Sequence, residues 1–360
     1  MAVVVASGTP VATAVAWLPV ASRYRKSHIF NVVALVIGAI ALTILLYRLG
    51  WSGLSRVLTQ VGPWFAVIAV IDLASVACDA FGIHGFLRAQ LPQRVSYWRV
   101  FAAQISGVAI NRLSPANSLG EPVKMTMLSE HVPPASAISA VVMFNIGTVY
   151  LGILVIVIGV PLTLLTIDLP PRVELAVWIG TGVLLLVAVL LVFAIRRGPI
   201  STLLAIGIRL RLVSDTRAVR WRPTVTQIDT NIRSLGNPRS GRARGIAGVL
   251  GSRCFNWLGT VVLLYASDFP LSASLVIASL TVGVLITWTS NIIPLGLGIS
   301  DSGNYALYGA LGAGASAGLD FAMVNRARTC VLAMMGLTVM SIAQAVNRRA
   351  LARAEVIPPG

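Results

Sequence analysis

Residues 135–162 read ASAISAVVMFNIGTVYLGILVIVIGVPL, an apolar segment without a single charged side chain. A helix needs about 20 residues to cross about 30 Å of hydrocarbon, so this segment is long enough to span a membrane. Further clear spans run over 29–49, 64–86, 173–195, 246–266 and 318–346. They lack the every-second-residue alternation of a transmembrane barrel. The sequence therefore predicts an all-α integral membrane protein.

The composition agrees with this prediction. Hydrophobic residues make up 56% of the chain and charged residues only 11%, whereas soluble domains carry about a quarter charged residues. The net charge of +16 arises from Arg-rich segments beside the spans, which indicates the positive-inside rule rather than nucleic-acid binding. The three cysteines lie in apolar runs without a CxxC pair, so neither a disulfide framework nor a cofactor is expected.

The distribution of basic residues predicts the direction of each span. Residues 196–244 carry eleven Arg and two Asp, a net charge of +9, and such a loop stays in the cytoplasm. Basic residues place both termini there as well: Arg23, Arg25, Lys26, Arg348, Arg349 and Arg353. The expected organisation in the cytoplasmic (inner) membrane is a flexible leader over 1–28, a transmembrane domain over 29–346 and a cytoplasmic tail over 347–360.

Two further apolar segments, 98–133 and 272–313, are interrupted by Pro and Gly. A single crossing by the first segment would place the basic loop on the outer side of the membrane. A single crossing by the second would place the basic C-terminal tail on that side as well. Both are therefore predicted to be re-entrant hairpins, the first from the inner face and the second from the outer face. The alternative is two ordinary crossings that obey the charge rule weakly.

The predicted fold thus has about six transmembrane helices and two oppositely oriented re-entrant hairpins. Span 64–86, the inner hairpin and span 135–162 run opposite to span 246–266, the outer hairpin and span 318–346, which makes an inverted repeat. Inverted repeats with broken helices are typical of alternating-access transporters, in which substrate binds near the midplane. The pattern indicates a transport function.

The two interruptions share a sequence pattern. The inner one runs from Asn111 to Lys124 as NRLSPANSLGEPVK, and the outer one from Asn291 to Asp301 as NIIPLGLGISD. Each contains Asn, then Pro, then Leu-Gly, then an acid. Pro and Gly end the first arm and free backbone groups that must find partners at membrane depth. The predicted break residues are Pro115, Gly120, Pro294, Gly296 and Gly298.

Polar residues at the breaks are the candidate substrate ligands: Asn111, Arg112, Glu121, Lys124, Asn291 and Asp301. Arg112 and Lys124 offer positive charge for a phosphate, although Lys124 in a shallow hairpin would instead extend to the interface. Glu121 and Asp301 open the second arms. An acid there either caps the helix N-terminus or binds a cationic group or proton.

Ionisable side chains inside the spans form a second group, which suits proton coupling or ion pairing. Asp72 and Asp79 are seven residues apart and share one helix face, so we expect them to pair with Arg253 or Arg326. Two more charged residues of the last span are Asp320 and Arg328. The alternative interpretation is a structural salt bridge that holds the helices together.

Around the two breaks the sequence resembles the flippase-like membrane family named for the transmembrane region of lysylphosphatidylglycerol synthetase. Leu119 to Lys124 is similar to the family's Leu-Gly-Glu-x-x-Arg/Lys element, and Pro294 to Asp301 to its Pro-Gly-Gly-Leu-Gly-x-x-Glu element. The resemblance covers roughly residues 30–346. Pro-Leu-Gly replaces Pro-Gly-Gly, and Asp301 replaces Glu, which keeps the acid but shortens its reach.

The resemblance implies translocation of a lipid or lipid-linked substrate, either an anionic phospholipid or a polyprenyl-phosphate conjugate. The chain ends soon after the last span, so lysyl transfer by an aminoacyl-transferase domain is not expected. The sequence contains no Gly-x-x-x-x-Gly-Lys-Ser/Thr phosphate loop, so direct ATP drive is not expected either. The alternatives are a membrane-embedded enzyme, or an accessory subunit that assists a lipid-modifying enzyme.

Overall fold

The computed structural model describes residues 29–356, except for short gaps at 48–49, 51–54, 56–58, 60, 92–94, 115–116, 166–170, 235–239, 268–270, 291–297 and 313–314. The predicted leader 1–28 lies outside the described residues. The helices of the described part are α1 (Ile29–Tyr47), α2 (Trp64–Gln90), α3 (Tyr97–Leu113), α4 (Gly120–Ser129), α5 (Pro134–Leu164), α6 (Pro171–Arg197), α7 (Pro199–Arg209), α8 (Asp215–Ser234), α9 (Ser240–Ala266), α10 (Ala273–Ser290), α11 (Ile299–Ala310) and α12 (Ala315–Val356). No strand occurs among these residues, so the all-α prediction is confirmed.

Six stretches of helix in the described part are long and apolar enough to cross a membrane: Ile29–Tyr47, Trp64–Gln90, Pro134–Leu164, Gly241–Ala266, Ala273–Ser290 and Ala317–Asn347. Five of them match predicted spans. The remaining stretch, Ala273–Ser290 in α10, is the first arm of the predicted outer hairpin. The predicted span 173–195 lies in α6, whose described apolar stretch is Val177–Leu190.

Apolar and polar side chains are distributed as in a protein dissolved in lipid. Large apolar side chains cover the outside, for example Val36, which is 52% exposed, and Leu186, which is 58% exposed. Polar and charged side chains such as Asp72, Gln104 and Lys124 are buried between the helices. Ionisable groups in membrane proteins face the interior of the bundle in this way because lipid cannot solvate them.

Both interrupted segments fold into antiparallel helix pairs. In the first, the side chain of Asn111 near the end of α3 meets the amide of Gly120 at the start of α4, at 2.7 Å. In the second, the hydroxyls of Ser279 on α10 and Tyr308 on α11 are 3.2 Å apart. We call the pair α3–α4 the inner hairpin and the pair α10–α11 the outer hairpin.

Corresponding helices in the two halves of the chain make corresponding contacts. The first arm of the inner hairpin, α3, packs against α12, and the first arm of the outer hairpin, α10, packs against α5. Likewise α2 contacts α12, and α9 contacts α5. Exchanging α2–α5 with α9–α12 turns each of these contacts into the other. These two pairs of contacts are the ones that an internal repeat predicts, whereas the packing of α2 against α5 has no comparable counterpart between α9 and α12 among the described residues.

The helices α2 and α9 make the most extensive helix contact in the described part of the fold, and glycine allows their close approach. A Cβ atom on Gly248 would collide with the backbone of Gly82 and lie 2.7 Å from the carbonyl oxygen of Cys78. A Cβ on Gly85 would lie 2.7 Å from the backbone nitrogen of Gly245. Small residues permit such close backbone approach between membrane helices. This crossing joins the two halves of the chain.

The helices begin and terminate at two opposite sides of the molecule. At one end, Glu130 after the inner hairpin accepts a hydrogen bond from Asn347 near the C-terminus, at 2.6 Å. Ile228 of α8 packs against Ala135 at the start of α5 at the same end. At the other end, Trp64 at the start of α2 packs edge-on against Tyr265 at the end of α9. The basic loop and the C-terminal segment therefore lie at the same end of the molecule.

The predicted basic loop 196–244 contains two helices, α7 and α8, which pack on each other. The carboxylate of Asp229 in α8 accepts hydrogen bonds from the amides of Ile200 and Ser201 at 3.0 and 2.9 Å, and so caps the start of α7. Helix α12 continues to Val356, so the predicted tail that begins at 347 is helical for most of its length.

Candidate functional site

A cavity of about 380 Å³ is lined by residues of α1, the inner hairpin, α9, the outer hairpin and α12. The inner hairpin contributes Arg112, Ser114 and Asn117 to its wall. The other walls come from α9, the outer hairpin and α12, and their polar and aromatic lining residues include Arg253, Asn256, Trp257, Thr260, Trp288, Ser300, Asn304, Tyr308, Asn325, Arg326, Arg328 and Thr329. We call this space the arginine cavity, because four guanidinium groups line it.

The inner break closes around the carboxylate of Glu121. Its Oε1 accepts hydrogen bonds from Asn111 at 2.8 Å and from the ammonium group of Lys124 at 2.7 Å. Its Oε2 accepts one from Asn145 of α5 at 2.5 Å. Three elements therefore converge on one acid. Neither Glu121 nor Lys124 lines the arginine cavity, so the predicted phosphate ligand Lys124 is instead engaged in an ion pair.

Gly120 is required at the inner break because the two arms touch there. A Cβ on this residue would collide with the carbonyl oxygen of Gly107 and with the side chain of Asn111. The Asn111 side chain thus accepts from the Gly120 amide and donates to Glu121, which satisfies an amide at the start of α4. The other predicted break residue, Pro115, lies outside the described residues.

The outer break is held by an ion pair. Helix α11 starts after Gly298, whose φ of +88° suits glycine. Both carboxylate oxygens of Asp301 accept hydrogen bonds from Arg326 Nη2, at 2.7 and 2.6 Å, and Oδ2 also lies 3.4 Å from the Gly298 amide. Asp301 therefore both caps α11 and binds α12. The predicted residues Asn291, Pro294 and Gly296 lie outside the described residues.

The ion pairs differ in part from those expected. Arg328 donates from Nε and Nη2 to the two oxygens of Asp72, at 3.0 and 2.6 Å, so Asp72 pairs with neither Arg253 nor Arg326. Asp79 makes a different contact from Asp72: it is buried and accepts a hydrogen bond from the side chain of Gln104 at 3.1 Å. The seven-residue spacing did place both acids in the interior of the fold.

The arginine cavity carries uncompensated positive charge. Of its four guanidinium groups, those of Arg326 and Arg328 are paired with carboxylates. Arg112 and Arg253 form no ion pair with any described residue, and Nε of Arg253 is a buried donor without a partner there. No acid occurs among the described lining residues. Such a site favours an anion, because guanidinium forks match carboxylate and phosphate groups.

Sequence reasoning missed the neutral part of the lining. Asn256, Asn304 and Asn325 are amides in apolar helices, and Trp257 and Trp288 add aromatic surface. The available signal was the rarity of Asn in a membrane span, which marks an inward-facing position. Within the part of the chain that the structure describes, no three His, Cys, Asp or Glu side chains are grouped to hold a metal.

Comparison with known proteins supports the resemblance noted in the sequence. The family model described as the lysylphosphatidylglycerol synthase TM region matches residues 31–336. No curated protein and no solved structure gives a significant match. The matched region includes both hairpins and every described residue that lines the arginine cavity. The chain is therefore a multi-pass membrane protein that belongs to the family of lysylphosphatidylglycerol synthase transmembrane regions.

Proposed function

We propose that this protein translocates the anionic headgroup of a membrane lipid through the arginine cavity. The observation that carries the proposal is the cavity itself: about 380 Å³ lined by both hairpins, with two guanidinium groups that lack a carboxylate among the described residues. Charged side chains at membrane depth are costly and mark substrate pathways. Family membership supports a lipid-related role, and a phosphate-bearing headgroup would supply the missing negative charge.

The proposal treats both hairpins as re-entrant. Each one has its two arms side by side, and the end that holds Glu130 also holds the C-terminal part of α12 and the Arg-rich helix α8. The positive-inside rule assigns that end to the cytoplasm. The outer hairpin then enters from the opposite face, and the cavity that both hairpins line lies near the midplane, as in transporters built from inverted repeats.

Thiol labelling tests this topology. In a background in which Cys78, Cys254 and Cys330 are replaced by Ala, we expect His131→Cys to react with a membrane-impermeant reagent only from the cytoplasmic side, as an Arg220→Cys reference does. Both positions are exposed. Ser272→Cys, also exposed, should react only from the outer side. Ser96→Cys before α3 and Gly309→Cys at the end of α11 are also at exposed positions. Ser96→Cys should react from the same side as His131→Cys, and Gly309→Cys from the same side as Ser272→Cys. Reaction of the two members of either pair from opposite sides would contradict the re-entrant arrangement.

Lipid movement in reconstituted vesicles tests the function. We expect vesicles that contain the protein to move dye-labelled phosphatidylglycerol between leaflets faster than protein-free vesicles, because the cavity offers its headgroup two unpaired cations. Labelled phosphatidylcholine, in which an ammonium group offsets the phosphate, is the matched control and should move less. A labelled polyprenyl phosphate in a parallel experiment distinguishes the two sources of phosphate. Equal leaflet distributions with and without the protein would contradict the proposal.

A further inference from the structure

One buried acid of the membrane helices has no cation beside it. Asp72, Glu121 and Asp301 each have a cationic nitrogen within 2.7 Å, whereas Asp79 has no ion pair among the described residues. Its Oδ2 accepts a hydrogen bond from Gln104 at 3.1 Å. Among the described residues, its Oδ1 and the Gln104 Oε1 are both buried without a hydrogen-bond partner at bonding distance, and the hydroxyl of Ser252 also acts on the carboxyl group.

This pair of unsatisfied acceptors lacks a donor. A buried carboxylate without an adjacent cation is costly, and the cost is relieved when the group takes up a proton. A proton on Asp79 would supply one O–H donor where two acceptor oxygens have none. The position therefore has the chemistry of a proton-binding site, whereas the other three acids are each paired with a cation.

The charges near Asp79 connect it to the arginine cavity. The cations that act on it electrostatically are Arg253 from α9 and Lys124 from α4, and Asp79 in turn acts on Arg112 of α3. Lys124 is neutralised by Glu121, so the guanidinium groups of Arg253 and Arg112 remain. On α2 itself the neighbouring titratable group is Cys78, and Arg328, which α12 directs at α2, is held by Asp72.

A polar chain also joins this region to the cavity wall. The cavity-lining Asn256 donates to the hydroxyl of Ser75 at 2.6 Å, and Ser75 lies 3.0 Å from the hydroxyl of Ser252. Ser75 precedes Asp79 by one helical turn, so these groups lie along the same face of α2. Hydroxyl and amide groups therefore extend from the arginine cavity toward the acid.

We propose that Asp79 takes up a proton from solution when an anion enters the arginine cavity, so that anion and proton bind together. The inference rests on the proposed function and deepens it. The positive charge of Arg112 and Arg253 favours the ionised form of Asp79, so an anion that neutralises this charge favours protonation. By linkage, protonation of Asp79 strengthens anion binding to the same extent. A proton gradient would then drive the movement of the anionic headgroup across the membrane.

Binding measurements on the purified full chain test this coupling, with water-soluble short-chain phosphatidylglycerol as the probe. Calorimetry in buffers of different ionisation enthalpy gives the protons taken up per probe bound. For the wild type we expect uptake approaching one proton, and an affinity that weakens by up to about tenfold for each unit of rising pH. Asp79→Asn should bind the probe without proton uptake. Asp320→Asn, the same change at a half-buried acid of α12, should behave as the wild type.

The outcomes separate the two proposals. Binding of the probe by the wild type without proton uptake, or unchanged uptake in Asp79→Asn, overturns the role of Asp79 and leaves the anion site standing. Failure of the wild type to bind the probe overturns both. If Asp79→Asn does not fold, infrared difference spectra of the wild type decide the matter: the carbonyl band of a protonated carboxylic acid must grow when the probe is added, and its absence overturns the proposal.

Discussion

Replacement of Arg253 by Gln should remove most of the lipid movement in reconstituted vesicles. The guanidinium group lines the arginine cavity, has no ion pair with a described residue and has a buried donor without a partner there. Loss of one partner of a buried charge pair costs about 2 kcal/mol or more, which corresponds to about thirtyfold in affinity. We expect a fall of that size in the affinity for phosphatidylglycerol, and a similar fall for Arg112→Gln.

Two variants separate the cavity charge from the overall charge. Arg220→Gln removes one positive charge from the exposed surface of α8 and should move lipid at the wild-type rate. Arg253→Lys keeps the charge but loses the two-pronged geometry, so its activity should lie between those of the wild type and Arg253→Gln. Wild-type movement of phosphatidylglycerol by Arg253→Gln and Arg112→Gln would rule out the arginine cavity as the headgroup site.

Replacement of Glu121 by Gln should strongly destabilise the fold. The side chain of Lys124 is only 4% exposed, and Glu121 is its ion-pair partner at 2.7 Å. Removal of the carboxylate leaves a buried ammonium group without compensation, and breaking a buried ion pair in this way costs about 3–5 kcal/mol. The midpoint of thermal unfolding in detergent should therefore fall clearly below that of the wild type.

The double variant Glu121→Gln, Lys124→Met provides the decisive comparison. Since it removes both charges, it should recover much of the lost stability. Glu174→Gln makes the same chemical change at an exposed position in the first turn of α6 and should unfold as the wild type does. If the double variant is as unstable as the sum of its single changes, the pair does not stabilise the inner hairpin.

The sequence was informative about the breaks because Pro and Gly act locally. The predicted inner break falls where α3 ends at Leu113 and α4 begins at Gly120, and the predicted acid Asp301 lies in the first turn of α11. Backbone rules of this kind depend on neighbouring residues alone. They hold whatever packs against the segment later.

Partners in space were less predictable. The ion pair between Asp72 and Arg328 joins residues 256 positions apart, and the expected partners of Asp72 were Arg253 and Arg326. All three arginines face the interior, and their spacing in sequence does not rank them. The convergence of Asn111, Lys124 and Asn145 on Glu121 was hidden for the same reason, because Asn145 belongs to a different helix.

By itself, the sequence determined that this chain is an all-α membrane protein with two interrupted segments, since hydrophobic length, charge bias and helix breakers are properties of contiguous residues. Only the tertiary structure decided which charges cancel. It paired Lys124, Arg326 and Arg328 with acids and brought Arg112 and Arg253 to the cavity wall without such partners among the described residues. The physical reason is that ion pairing depends on distances of a few ångströms between helices, which packing alone sets.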